Sequence, residues 1–376
     1  MKGEWMKHRR YWVVPLVAFV LVGAVWAAAG AGASTGKAAA TKVTLQLKWV
    51  TQAQFAGYYA AASKGYYKQA GLDVRIKVGG PDIIPEQAVA GGGAEFGIDW
   101  LPSLLSARDK GTKLVNIAQV FTRSGMTQLT WRDSGINSIA KMRGKKVGNW
   151  LGGNEFELFA ALTRAGMTPA SNKGVTIVKQ PFDMNLFMKR DIDSASAMTY
   201  NELAQVLETK NPKTGKLTKL SELNVIKMES IGTGMLEDGI FTTDKWIKDK
   251  AHQATAKKFL AASFKGWIWC RDHVKDCTNI VLKQGPTLLK GHQTWQMNEI
   301  NALIWPATKG IGVMDKKAFD RTAKISKQFK VIKKTPSGAY RDDLAKAAVA
   351  QLKSQGVDVN GKKWKKAVVK VTPGGK

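Results

Sequence analysis

Short apolar runs alternate along the chain with stretches whose apolar positions recur every three to four residues, the signatures of strand and amphipathic helix. Val43–Trp49 reads as a strand, Phe55–Gln69 as a helix and Leu72–Val78 as a second strand. A helix at Pro85–Ala90 leads to a strand at Glu95–Asp99, a helix at Leu101–Lys110 and a strand at Leu114–Val120. A second series runs through strand Lys146–Trp150, helix Glu155–Ala165 and strand Val175–Lys179. It continues with a helix near Asp183–Lys189, a strand at Ser194–Met198 and a helix near Glu202–Glu208. Gly239–Thr243 then reads as a strand returning to the first series, followed by mainly helical sequence to Lys330. Repeated strand–helix–strand units predict an α/β chain with mostly parallel sheets flanked by helices.

Two breaks in the alternation, Arg132–Ser138 and Ile231–Asp238, divide the chain. They give a first lobe from 34–132, a second lobe from 133–234 and a return to the first lobe over 235–350. The Gly- and Lys-rich stretch 351–376 is expected to be a loosely packed tail.

Residues 1–33 have the pattern of an address. Lys2, Lys7, Arg9 and Arg10 precede an apolar run from Tyr11 to Ala29, and Ala29, Ala31 and Ala33 supply small residues for cleavage. That is a secretory signal peptide, cut within 29–36, with an uncleaved anchor as the competing reading. No cysteine near that point marks a lipid anchor, so an exported, periplasmic or secreted protein without stable membrane insertion is expected.

Composition narrows the class. In 376 residues, 44% hydrophobic positions exclude a disordered chain, and two cysteines exclude a disulfide miniprotein or a cysteine-based zinc module. The formal charge is +29, or +26 without the net +3 of the first 33 residues. The lysines are scattered as pairs, such as Lys145-Lys146 and Lys365-Lys366, with no nucleic-acid motif to organise them, so the charge reads as solvated surface.

In open parallel sheets ligands bind beyond the carboxyl ends of the strands. The first strand ends in Trp49 and runs into Gln52, Gln54, Phe55 and Tyr58, and the strand at 95–99 ends in Asp99-Trp100. In the second series Trp150 leads into Gly153, Asn154 and Glu155, and Met198 into Tyr200, Asn201 and Glu202. The second break adds Glu237 and Asp238. Taken singly, the aromatics fit core packing, the acids fit helix dipoles, and Asn154 with Glu157 fits a capping box. Together they place aromatics and carboxylates at strand ends in a chain with half as many acids as bases. Carboxylates repel nitrate, phosphate or sulfonate but accept hydrogen bonds from amino and hydroxyl groups, while Trp and Tyr stack flat rings. A planar, donor-bearing heteroaromatic ligand follows.

The run Trp49…Phe55-Ala-Gly-Tyr-Tyr59, with Lys64-Gly-Tyr-Tyr67 and Gly71-Leu-Asp-Val74, resembles the periplasmic substrate-binding proteins related to the fungal thiamin-pyrimidine synthase. Gly97-Ile-Asp-Trp-Leu-Pro102, Gly152-Gly-Asn-Glu-Phe156 and Gln180-Pro-Phe-Asp183 fit the same group, over roughly residues 43–350. The resemblance implies a two-lobed type II periplasmic binding-protein fold. It also implies a cleft that closes on ligand and an ABC importer permease as partner. Its members take up thiamin-pyrimidine precursors, riboflavin, sulfonates or nitrate. Carried onto this chain, it places Trp49 to Tyr58 and Gly153 to Glu155 in the cleft.

The fungal member is an enzyme that builds its pyrimidine from pyridoxal phosphate held on a lysine and from its own histidine, beside a cysteine-rich stretch. Here the lysine position aligns with Asp99 and the histidine position with Ser103, and the segment around Leu236–Thr243 has no cysteine. A binding protein without turnover, cofactor or metal is therefore expected. His252, His273 and His292 lack metal-ligand spacing and read as solvent-facing or helix-end residues. Cys270 and Cys277 would lie ~10.5 Å apart on one unbroken helix, too far to bridge. A break at Arg271–Asp276 would bring them together, and the spacing leaves both outcomes open.

Overall fold

The computed structural model describes residues 39–376, so the signal-peptide and anchor readings of residues 1–33 lie outside it. Ten strands form two five-stranded sheets. The first contains β1 (Thr41–Gln46), β2 (Leu72–Lys77), β3 (Phe96–Trp100), β4 (Leu114–Gln119) and β10 (Asp238–Thr243), in the order β2-β1-β3-β10-β4. The second contains β5 (Met126–Trp131), β6 (Lys146–Asn149), β7 (Thr176–Lys179), β8 (Ser194–Met198) and β9 (Leu223–Lys227), in the order β7-β6-β8-β5-β9. Helices flank both sheets, giving two α/β lobes.

Each sheet is mixed. β1 pairs parallel with β2 and β3, and β6 parallel with β7 and β8. The antiparallel pairs are all made by β10 and β5, the two strands that arrive directly from the other lobe. A strand entering without a crossover helix runs against its neighbours, because parallel neighbours need a long connection.

The first lobe boundary moves accordingly. The chain crosses between Gln119 and Met126, not at Arg132–Ser138, because β5 already belongs to the second sheet. Its polar residues hide it: Thr127, Gln128 and Thr130 are fully buried, with Gln128 donating to Ser196 Oγ (2.8 Å) and accepting from Ser194 Oγ (2.8 Å). The return crossing lies between Lys227 and Asp238.

The expected helix over 55–69 is two, Ala56–Ser63 and Tyr66–Gln69, separated by left-handed Gly65 (φ 72°). The first packs against the long helix Lys250–Asp272, where a Cβ on Gly57 would fall 2.2 Å from the Trp267 ring. That helix breaks at His273 before Val274–Gln284, bringing Cys270 and Cys277 to a Cα separation of 5.1 Å in a disulfide.

The tail is largely exposed but tied down at several points. After the helix Asp343–Ser354, Val359 is buried and Asn360 Nδ2 donates to the Ala307 carbonyl (2.7 Å). Asn298 clamps the Ala367 backbone with a donated (2.9 Å) and an accepted (3.1 Å) bond. The Gly374 N–H then reaches the Glu208 carbonyl of the second lobe (2.9 Å). Gly291, on the helix Lys290–Ile304, makes room: a Cβ there would sit 2.2 Å from Thr372 Oγ1. Among the described residues no helix is long and apolar enough to cross a membrane.

Candidate functional site

The carboxyl ends of β1 and β3 face those of β6 and β8 across the junction of the lobes. A narrow slot of about 30 Å³ lies between them, walled by Trp49 and Trp100 of the first lobe and Trp150 and Tyr200 of the second. Gln54, Asn154, Asn201 and Glu202 border the same slot, so eight of the residues expected from sequence meet there. On one side it opens into a chamber of about 390 Å³ that Asp99, Gly153 and Glu155 help to line. The chamber shares Lys48, Trp49 and Asn154 with the slot. On the other side Trp49 meets Phe182 edge-on, 5.0 Å between centroids, closing the first lobe onto the second.

A chain of buried amides holds the slot's first-lobe wall. Gln296 Nε2 donates to Gln52 Oε1 (3.0 Å), Gln52 Nε2 to Gln54 Oε1 (2.6 Å) and Gln54 Nε2 to Asp238 Oδ2 (2.9 Å). Asp238 also accepts from the Trp100 indole (3.0 Å), fixing the ring's plane. Asp238 thus stands behind Gln54 and Trp100 and positions both; burial pushes its carboxyl up to about 7. On the opposite wall Glu202 accepts from the Met198 N–H (2.9 Å) and Asn201 Nδ2 (2.7 Å), and burial raises it to about 7 as well. The Trp150 indole N–H is buried with no partner among the described residues, leaving a donor at the slot.

Other expected residues sit elsewhere. Phe55 and Tyr58 are core: both are almost fully buried outside the slot and chamber, with Tyr58 edge-on to Trp267 at 5.6 Å. They follow the first strand, but the 3-10 turn Ala53–Phe55 rotates them inward. Glu237 belongs to the crossover, where its Oε1 accepts from the backbone of Gly125 (2.7 Å) and Met126 (3.2 Å) and from Ser124 Oγ (3.1 Å). The capping box is not formed, because Glu157 turns to the same crossover and accepts from Met235 N–H (3.0 Å) and Ser124 Oγ (2.7 Å). Glu155 instead accepts from the Gly153 N–H (2.8 Å) at the start of the helix Phe156–Arg164. Gly153 (φ +100°) is approached by Ser103 of the first lobe, which donates to its carbonyl (3.1 Å).

Sequence reasoning missed two contributors, Lys48 and His292. Lys48 is buried at the junction of slot and chamber, in direct contact with Asp99. Gln52, expected from its place after the first strand, lines the slot as a ninth residue read from the sequence. His292, read as solvent-facing or at a helix end, lies in the first turn of the helix Lys290–Ile304, is half-buried and links the lobes through Glu208 (2.9 Å) and Asn201 Oδ1 (2.8 Å).

With this geometry in place, likenesses to known proteins gain meaning. The chain is 26% identical over 170 residues to the riboflavin-binding protein RibY of Chloroflexus aurantiacus, covering 44% of this chain and 48% of that protein. It is 27% identical over 139 residues to the 4-amino-5-hydroxymethyl-2-methylpyrimidine phosphate synthase of Legionella pneumophila, covering 36% and 43%. The chain thus spans less than half the length of each of these relatives in the aligned regions. In fold it is similar to the periplasmic aliphatic sulphonate binding protein SsuA from Escherichia coli (TM-score 0.57, 13% identity, 79% of this chain, 90% of that chain). The two lobes therefore have the periplasmic binding-protein fold. Residues 52–276 match the family model described as NMT1/THI5 like, and the chain belongs to that family.

Proposed function

We propose that the protein is the exported solute-binding component of an ABC importer, capturing a planar heteroaromatic nutrient of the riboflavin or thiamin-pyrimidine type. The carrying observation is that Trp49 and Trp100 on one lobe and Trp150 and Tyr200 on the other converge on one slot, which shares Lys48, Trp49 and Asn154 with the larger chamber. Aromatic faces take the ring by stacking, and the amides and carboxyls at its edge read amino, carbonyl and hydroxyl groups. A ligand gripped by both lobes holds them closed, which is the signal a permease reads. The names of the riboflavin-binding and pyrimidine-synthase relatives agree with a ligand of this shape.

The Legionella relative favours one competing reading, a pyrimidine synthase. The fungal enzyme's lysine aligns here with Asp99 and its histidine with Ser103. Lys48, whose ammonium reaches Asp99, is a poor substitute for an imine-forming lysine. Burial pulls its pKa down, but attraction to Asp99 outweighs this and holds it above its ordinary value, disfavouring the free amine.

A thermal-shift screen of riboflavin, aminopyrimidines and alkanesulfonates tests the proposal. Ligand at a hundredfold excess over Kd stabilises the native state by about 2.7 kcal/mol, a readily seen rise in Tm. No shift with any heteroaromatic would contradict it, and pyrimidine formation from pyridoxal phosphate would establish the synthase instead. A yellow protein as purified would point to flavin, a colourless one with bound material to a pyrimidine.

A further inference from the structure

We propose that the buried Lys48–Asp99 pair sets the charge of the ligand, admitting an uncharged heteroaromatic and rejecting its phosphate ester. The inference rests on the cleft reading above and adds a specificity device to it.

Lys48 and Asp99 have side chains only 6% and 4% exposed, and their ammonium and carboxylate are in direct contact. Neither is free to move: Asp99 Oδ1 also accepts from the Trp100 N–H (2.6 Å), and the Lys48 ammonium sits 5.0 Å from the Trp100 ring centroid. Asp99 is the one hydrogen-bond partner of Lys48 Nζ among the described residues, although an ammonium carries three donors. The unspent donors lie where slot and chamber meet, at the place a bound ring would present its edge. They suit a carbonyl or ring nitrogen.

The cation's charge, by contrast, is already answered. A lone buried ammonium would anchor an anion, but beside Asp99 an incoming phosphate gains little net attraction and loses its hydration. The neighbours do not change that balance. Burial, reinforced by Asp99, pushes Glu86 well above the usual carboxylate range, and it supplies no positive charge. Glu155 on the chamber wall and Asp238 behind Trp100 add no positive charge. Lys110, the other cation bordering the chamber, is exposed and screened by solvent.

The test compares matched pairs, riboflavin with riboflavin 5′-phosphate and 4-amino-5-hydroxymethyl-2-methylpyrimidine with its phosphate, by titration calorimetry at constant salt. The wild-type protein should bind the uncharged member of the recognised pair at least tenfold more tightly. Asp99→Asn, which frees the ammonium, should narrow that preference at least tenfold. Lys48→Met, which leaves the carboxylate alone, should widen it. Either variant suffices if the other fails to fold. Equal binding of both pair members by the wild-type protein, or an unchanged ratio in a folded variant, would overturn the proposal while leaving the cleft reading intact. Failure of the wild-type protein to bind any of the four compounds would instead defeat the cleft reading, and this proposal with it.

Discussion

The front and the back of the interlobe junction both bury carboxyl groups, and the two sets face different things. At the front, Asp99, Asp238 and Glu202 border or stand directly behind an aromatic slot, with Lys48, tryptophan and amide side chains among their partners. At the back, Glu157 and Glu237 share the Ser124 hydroxyl and otherwise bond backbone N–H groups of the two crossing segments. The back pair lines neither the slot nor the chamber and reads as a clamp fixing how one lobe meets the other. Carboxylates at strand ends are therefore sorted by what they face, and only the front set bears on ligand choice.

Removing a back carboxylate should cost stability and leave recognition intact. Glu237→Ala orphans the N–H of Gly125, while the Met126 N–H keeps Ser124 Oγ and the Ser124 hydroxyl keeps Glu157, a loss on the order of 1–3 kcal/mol for one buried unpaired donor. Denaturant unfolding would show it as a lower midpoint. A normal midpoint would dissolve the distinction between front and back.

The buried acids also fix a pH dependence. Burial pushes Glu157 to about 8 and Asp238 and Glu202 to about 7, whereas in the unfolded chain such groups ionise near pH 4. As pH rises through that window the unfolded state sheds protons first, so stability falls from about pH 4 to pH 8 and levels off above. Asp133, held at about 2 by Arg190 and then Lys213, acts in the opposite sense but only in stronger acid. Between pH 5 and pH 8 each of the three groups contributes a loss on the order of 3 kcal/mol. Glu157→Gln, which keeps an acceptor for the Met235 N–H, should flatten the slope. Melting curves across this range check both, and a Tm rising with pH would refute the assignment.

At the front, Trp49→Ala removes one stacking face and the contact with Phe182, which should weaken ligand binding by about 2 kcal/mol, or some thirtyfold. Glu155→Gln should have the smallest effect, under about 1 kcal/mol on affinity, because its carboxylate is half-buried and already occupied by the Gly153 N–H. A hundredfold loss there would move the centre of recognition from the slot into the chamber.

Much of this arrangement was legible in the sequence because strand ends announce themselves. Trp49, Trp100, Trp150 and Tyr200 each follow a short apolar run, and the fold brings all four to one slot. Phe55 and Tyr58 carry the same signal yet face the core, since one turn of 3-10 helix decides which way they point. β5 was illegible because three of its six buried positions are Thr127, Gln128 and Thr130, with Gln128 satisfied by serines of β8 and Thr127 by the Ala197 carbonyl, partners that only the folded sheet supplies. Lys48 was hidden among 58 basic residues, and nothing local distinguishes a lysine destined for a buried pair. The ordered tail depended on a notch at Gly291 some eighty residues away in sequence.

The most direct test of the central claim is titration of riboflavin and of 4-amino-5-hydroxymethyl-2-methylpyrimidine into the wild-type protein, Trp49→Ala and Trp100→Ala, with melting curves for each. The slot account predicts binding of at least one compound by the wild-type protein and a ten- to hundredfold loss in both folded variants. Undiminished affinity in both variants would place the ligand somewhere other than the slot and contradict it.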